Sequence, residues 1–128
     1  MKLLLDTCTF LWIIGGGHEL PGRVAALYRS ADNEVYLSAA SAWEIAIKHA
    51  SGRLPLPVPP QALVAQERER CGVATLAIDE ESALHVARLP RLHRDPFDRL
   101  LVAQAIVHGL TILTPDPLVS QYPGRTMW

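Results

Sequence analysis

Four short apolar runs are each followed by a stretch with helical patterning: "KLLL" from Lys2, "EVYLS" from Glu34, "VATLAI" from Val73 and "LTILT" from Leu110. This alternation constrains the fold more than any other feature. "KLLL" shows no polar alternation after its first residue, the pattern of a strand covered on both faces rather than one half open to water. Strands of that kind, separated by helices, form a parallel sheet between helical layers. The expected architecture is a three-layer α/β/α fold with a central, mainly parallel sheet of four or five strands. "RTMW" near the C-terminal end is the candidate for the fifth, at an edge.

The helical stretches carry their own punctuation. "TCTFLWII" stops at Gly15, Gly16 and Gly17, and Pro21 opens a second helix running to about Ser30. The triple glycine follows a helix and lacks the Lys-Ser/Thr of a phosphate loop, so it reads as a turn. "AASAWEIAIKHASG" is a helix closed by Gly52, with Ala40, Trp43, Ile47 and Ala50 marking one apolar face. "PLPVPPQ" permits neither helix nor central strand and serves as an extended connector to a helix from about Gln61 to Arg70. "DEESALHVARL" is a helix capped at Asp79, "PFDRLLVAQAIVHG" a helix closed by Gly109, and "DPLVSQY" a last helical turn. There is no internal repeat, and residues 1–128 read as one domain.

Composition narrows the class. With 49% hydrophobic and 20% charged residues, the balance is that of a globular chain. Apolar runs break well before the roughly 18 residues a membrane span needs, so no span is expected. "MKLLLDT" reaches an acid at its sixth residue without the apolar segment of a signal peptide, and the expected location is the cytosol. Cys8 and Cys71 have no metal-ligand spacing and read as reduced, partly buried residues. A formal net charge of −1 is no signature of a general polyanion binder. Any such ligand needs a local patch, and "HVARLPRLHRDPFDR" supplies one by gathering Arg88, Arg91, Arg94 and Arg99 with His85 and His93.

Ligands of open parallel sheets sit beyond the carboxyl ends of the strands. Asp6 follows "KLLL" directly and Asp116 follows "LTILT" after Pro115. Asp98 lies in the first turn of the helix before that strand, and Glu44 sits in a nearly all-round apolar helix. There a carboxylate is costly unless paired with Lys48 or bound to a cation. Each aspartate taken singly reads as a helix cap before it reads as a ligand: Asp95-Pro96 and Asp116-Pro117 share the grammar of an N-cap followed by proline at the first helical position. Thr7 and Thr114 flank these acids and either cap or steady carboxylates, capping being the preferred expectation.

Taken together, "LLLDT...LW", "LSAASAWEIAIKHASGRL", "HRDPFDRLLVAQA" and "LTILTPD" resemble, in order and spacing, the PIN domain ribonucleases, and within them the VapC-type toxins of toxin-antitoxin pairs. The match runs from Lys2 to Asp116. The resemblance implies that Asp6, Glu44, Asp98 and Asp116 surround one or two Mg²⁺ or Mn²⁺ ions, with Asp95 a cap first and an outer ligand second. Asp6 and Asp98 would contact the main ion, while Glu44 and Asp116 orient the attacking water or hold a second ion. It further implies an RNA substrate, a cognate antitoxin protein and a homodimer, joined in a larger complex or not. "DTCTFLW" departs from the pattern by placing Cys8 and Thr9 where relatives often have His or Ala and a small aliphatic residue. That bears on packing or substrate preference.

Carboxylates and Mg²⁺ suit this chemistry because hard oxygen ligands hold an ion that acidifies water and neutralises phosphate charge. Arg94 and Arg99 are the candidates for positioning phosphate, since a guanidinium binds it in a bidentate manner. Rivals fare worse. A phosphotransfer enzyme needs a lysine near the phosphoryl group, but the only two, Lys2 and Lys48, follow no late strand, and "DTCT" lacks a second aspartate. The histidines have no zinc-hydrolase spacing. The remaining alternative is a non-cleaving PIN-like module that binds RNA or protein.

Overall fold

The computed structural model describes residues 1–128. Five strands, β1 (Lys2–Leu5), β2 (Glu34–Ser38), β3 (Ala74–Leu76), β4 (Thr111–Leu113) and β5 (Arg125–Met127), form one sheet in the order β3-β2-β1-β4-β5. Every neighbouring pair is parallel. The expected α/β/α fold is therefore present, with the sheet at its full five strands and "RTM" at the edge.

Seven helices connect and cover the strands: α1 (Thr7–Ile14), α2 (Gly22–Arg29), α3 (Ala39–Ala50), α4 (Pro60–Cys71), α5 (Glu80–His85), α6 (Pro96–His108) and α7 (Pro117–Ser120). Helix α5 runs on as a short 3₁₀ turn, Val86–Arg88. The starts follow the sequence grammar, with Pro60, Pro96 and Pro117 in the first helical turns. Gly16 and Gly17 have φ of 109° and 77°, which the turn after α1 requires and which side-chain-bearing residues rarely adopt.

The alternation of side chains along a strand divides the core into two layers. Leu4 and Ile112 face α6, packing with Leu101, Val102 and Ala105. Leu3, Leu5, Leu37 and Leu113 face the other way, against Phe10 and Ile13 of α1, Val24 of α2 and Ile45 of α3. Leu3, Leu4 and Leu5 have no exposed surface at all. That explains the unbroken apolar reading of β1, each leucine contributing about 1.5 to 3 kcal/mol by leaving water.

Helix α3 corrects one expectation. Its buried residues are Ala40, Ser41, Glu44 and Ile45, whereas Trp43 and Ile47 are exposed. The helix is wedged between α1, α4 and α6, and the neighbours on several sides select a face that apolar spacing alone does not distinguish. A further buried link joins layers: the Ser38 hydroxyl donates to Gln104 Oε1 at 2.5 Å, and Gln104 Nε2 donates to the Ala77 carbonyl at 3.0 Å.

Candidate active site

The strand order places the topological switch beside β1. The chain moves outward from β1 through β2 to β3, then returns to lay β4 on the opposite side of β1. The crevice at the carboxyl ends of β1 and β4 is where open parallel sheets bind ligands. Asp6 follows β1 and Asp116 follows β4. A cavity of about 200 Å³ opens there, and its wall contains Asp6, Glu44, Asp95, Asp98 and Asp116, together with Thr7, Cys8, Leu11 and Lys48. The five acids singled out in the sequence thus line one space.

Capping and site-building coexist. Asp6 caps α1 by accepting from Thr9 N at 2.7 Å through Oδ1, and its Oδ2 accepts from the Thr114 hydroxyl. Asp95 Oδ1 accepts from Phe97 N at 2.9 Å and Asp98 N at 3.1 Å, and Asp116 Oδ1 accepts from Leu118 N at 2.9 Å. These caps fix the carboxylates rigidly at the ends of secondary structure. In Asp95 and Asp116 the second oxygen has no hydrogen-bond partner within the protein, so a cap with one oxygen leaves the other for a ligand.

Thr7 and Thr114 hold carboxylates rather than cap helices, contrary to the expectation above. The Thr7 hydroxyl donates to Glu44 Oε1 at 2.6 Å, and Thr114, besides donating to Asp6, accepts from Asp116 N at 3.1 Å. Hydroxyls here find acidic acceptors brought by distant segments. Glu44 is buried and its Oε2 lies 2.6 Å from Lys48 Nζ. The anticipated pair with Lys48 exists, but not as an exposed surface pair: its acid end is inside and its ammonium lines the cavity.

Asp98 is the most electrostatically burdened of the acids. Burial pushes its carboxyl up to about 6; a hydrogen bond from His93 opposes this, while the charges of Asp95 and Asp116 add to it. His93 Nε2 lies 3.1 Å from Asp98 Oδ2, and His93 Nδ1 lies 2.7 Å from the Tyr122 hydroxyl. That hydroxyl also accepts from Arg99 at 3.1 Å and from His93 N at 3.3 Å. A ring that donates from Nε2 to Asp98 and accepts at Nδ1 from Tyr122 satisfies every group in the chain. Sequence reasoning missed this support. His93 stands five residues before Asp98 across a helix start, and Tyr122 comes from the far side of β4, so no periodicity links them.

Cys8 was expected as a partly buried residue and is one, but it faces the acidic cavity. Burial, then the neighbouring Asp6, push its thiol up to about 12. It is therefore a neutral, unreactive group at the wall.

Arg94 and Arg99 lie elsewhere. With Arg91, Leu92 and His93 they form a neighbouring cavity of about 570 Å³. Arg99 is tied by its guanidinium to the Pro90 carbonyl at 2.8 Å and the Val86 carbonyl at 3.2 Å. Arg91 and Arg94 make no such bond and are exposed. The two cavities meet through the His93–Asp98 contact.

The donor set fits a hard divalent cation in kind. Carboxylate oxygens crowd one cavity, and such an ion offsets the cost of charging Asp98, which comes mainly from burial and in smaller part from Asp95 and Asp116. The fit is one of donor type only: as the side chains stand, no group of three or more His, Cys, Asp or Glu is arranged to hold a metal. Each oxygen of Asp6 and Glu44 accepts one hydrogen bond from the protein and keeps a lone pair, while Asp95, Asp98 and Asp116 each have one oxygen with no protein partner. Mg²⁺ commonly binds through one or two carboxylates and completes its shell with water and phosphate.

A five-stranded parallel sheet with an acid-lined cavity at its switch point defines a class, and comparison with known proteins gives it a family. The PIN domain model matches residues 3–124, and the chain belongs to the PIN domain family. Over 60 residues it is 42% identical to Ribonuclease VapC16 of Mycobacterium tuberculosis, a stretch covering 47% of this chain and 43% of that protein. The match thus spans less than half the length of that curated relative. Among solved structures, VapBC2 from Rickettsia felis bound to a promoter DNA fragment superposes with a TM-score of 0.74 at 14% identity, covering 99% of this chain and 98% of that one. DNA-bound VapBC from Salmonella typhimurium gives a TM-score of 0.67 at 18% identity, with 99% and 97% covered. A toxin-antitoxin complex from Klebsiella pneumoniae gives 0.66 at 15%, with 98% and 96% covered. At these identities the likeness is one of fold.

Proposed function

We propose that this chain, as a single PIN domain over residues 1–128, is a Mg²⁺- or Mn²⁺-dependent endoribonuclease that hydrolyses RNA phosphodiester bonds and acts as the toxin of a toxin-antitoxin pair. The observation that carries the reading is the convergence of Asp6, Glu44, Asp95, Asp98 and Asp116 on one cavity at the β1/β4 switch point. When bound there, a divalent ion supplies acidification of an attacking water and neutralisation of phosphate charge. Asp98, held by His93, and Asp6, held by Thr114, take the direct contacts. Asp116 and Glu44 orient the water or a second ion, and Asp95 is a cap with an outer role. Lys48 limits the negative charge a phosphate meets on entry, and Arg94 takes the neighbouring phosphate. Arg99 stiffens the loop that carries Arg94 and acts on phosphate only if its carbonyl contacts open.

Family membership and the local likeness to a ribonuclease support the reaction. The structural likeness to toxin-antitoxin assemblies supports a cognate antitoxin; the homodimer is proposed on the sequence resemblance alone. No helix is long and apolar enough to cross a membrane, in keeping with the cytoplasmic location we assign. The decisive experiment is incubation of the purified protein with RNA and Mg²⁺, with and without EDTA, alongside Asp98→Asn. Cleavage that chelator stops and the variant lacks is expected. Cleavage that survives chelation, or none with any divalent ion, overturns the nuclease reading. In that event the exposed Arg91 and Arg94 favour the second reading, a non-cleaving PIN-like module that binds RNA or protein.

A further inference from the structure

Beside the acidic cavity stands an aromatic pair that the carboxylate chemistry does not use. Trp43 and Phe97 meet edge to face, with ring centroids 5.1 Å apart and planes inclined by 76°. Trp43 immediately precedes Glu44 on α3, and Phe97 lies between Asp95 and Asp98 at the start of α6. The pair therefore bridges the two helices whose carboxylates line the cavity, one residue away from them. Trp43 is nonetheless 57% exposed. Edge-to-face contact covers at most one face of each ring. More than half of Trp43 remains open to solvent, one residue along α3 from a carboxylate of the cavity.

We propose that Trp43 and Phe97 form a base-stacking subsite, which takes one unpaired nucleobase of single-stranded RNA beside the phosphate held in the acidic cavity. The proposal rests on the nuclease reading for the nature of the polymer. Charge selects the occupant. The anionic backbone is drawn to Arg91 and Arg94 on one side and, in the proposed function, to the ion held by the carboxylates, while the aromatic pair offers a phosphate no cation. A neutral, flat base gains instead from stacking on an aromatic ring. Bases in a duplex have their faces already covered, so the subsite demands a single strand. It places no constraint on which base, because every base has a π-face.

The test is titration of the full-length protein with a short uridine-rich single-stranded RNA, followed by tryptophan fluorescence and by anisotropy of a labelled strand. Trp43→Leu and Phe97→Leu are compared with Trp43→Phe. Trp43 is exposed, so Trp43→Leu should retain the wild-type circular dichroism and melting temperature. Trp43→Leu is expected to lose the fluorescence quenching and to bind single-stranded RNA about tenfold more weakly, with Phe97→Leu weakened in the same direction. Trp43→Phe should stay within about threefold of wild type, and a duplex of the same sequence should not quench. Unchanged affinity in Trp43→Leu overturns the proposal. The outcomes separate from the parent reading: quenching without cleavage removes the nuclease and keeps the subsite, whereas full cleavage by Trp43→Leu at unaltered KM removes the subsite and keeps the nuclease.

Discussion

The Lys48 ammonium lies 2.6 Å from the Glu44 carboxylate, which is almost out of solvent. The chain thus carries one cation of its own into the acidic cavity. Lys48→Met leaves Glu44 with only the Thr7 hydroxyl. Because Lys48 is itself partly exposed, the expected loss is modest, about 1 kcal/mol rather than the larger cost of breaking a fully buried pair. Glu44→Gln with Lys48→Met should recover most of that loss. Urea unfolding of the two single variants and the double variant measures the coupling, and simple additivity would mean that the pair contributes nothing.

Asp98 makes stability in the absence of metal depend on pH in a defined direction. Its folded-state carboxyl sits at about 6, above the ordinary value of 3.8. Between those values the folded protein binds more protons than the unfolded chain, so this contribution is fully present below about pH 4 and is lost as pH rises through about 6. Asp98→Asn removes the dependence. Without divalent ions, the variant should melt higher than wild type at neutral pH, and the gap should close at about pH 4. Thermal unfolding across that range checks it. A variant that melts lower at neutral pH contradicts the burden placed on Asp98.

Thr114→Val tests the support under Asp6. Valine has nearly the shape of threonine, so packing survives while Asp6 Oδ2 loses its donor inside the protein. An unsatisfied buried acceptor costs about 1 to 3 kcal/mol. Chemical denaturation should register that loss, and Mn²⁺ affinity, read by calorimetry, should fall because the carboxylate is no longer oriented.

Arginines of one cavity should divide by role. Replacing both Arg91 and Arg94 with alanine is expected to leave the fold intact and to flatten the salt dependence of single-stranded RNA binding. The drop in log-log slope should be about 1.4 if each neutralises one phosphate. Arg99→Met instead removes the ties to Val86, Pro90 and Tyr122, so its main effect should be a lower melting temperature. A pure binding defect in Arg99→Met would move that side chain to the substrate.

Much of the architecture was legible because each strand announces itself locally. "KLLL" is apolar throughout since Leu4 faces one layer while Leu3 and Leu5 face the other, and the Asp-Pro starts of α6 and α7 encode their own caps. The aspartates were legible for the same reason, each following a strand or opening a helix, while Glu44 stood out as a charge inside an apolar helix. What escaped depends on meetings between distant segments. Nothing near Trp43 records that α3 is wedged among three helices and turns its indole outward. Tyr122 and His93 find each other only after β4 returns to the sheet; Thr7 becomes a carboxylate donor only once α3 packs on α1, and Thr114 only once β4 lies beside β1. Local grammar predicts the caps; long-range pairing decides what else the capping residues do.

Asp6 comes from the opening residues, yet the Thr114 hydroxyl that steadies it arrives 108 positions later, directly after the strand that slots in beside β1. Until that strand is in place, Asp6 has neither its brace nor Asp116 opposite. The cavity is therefore finished by the same step that closes the sheet on this side, and no part of the chain before β4 can assemble it alone.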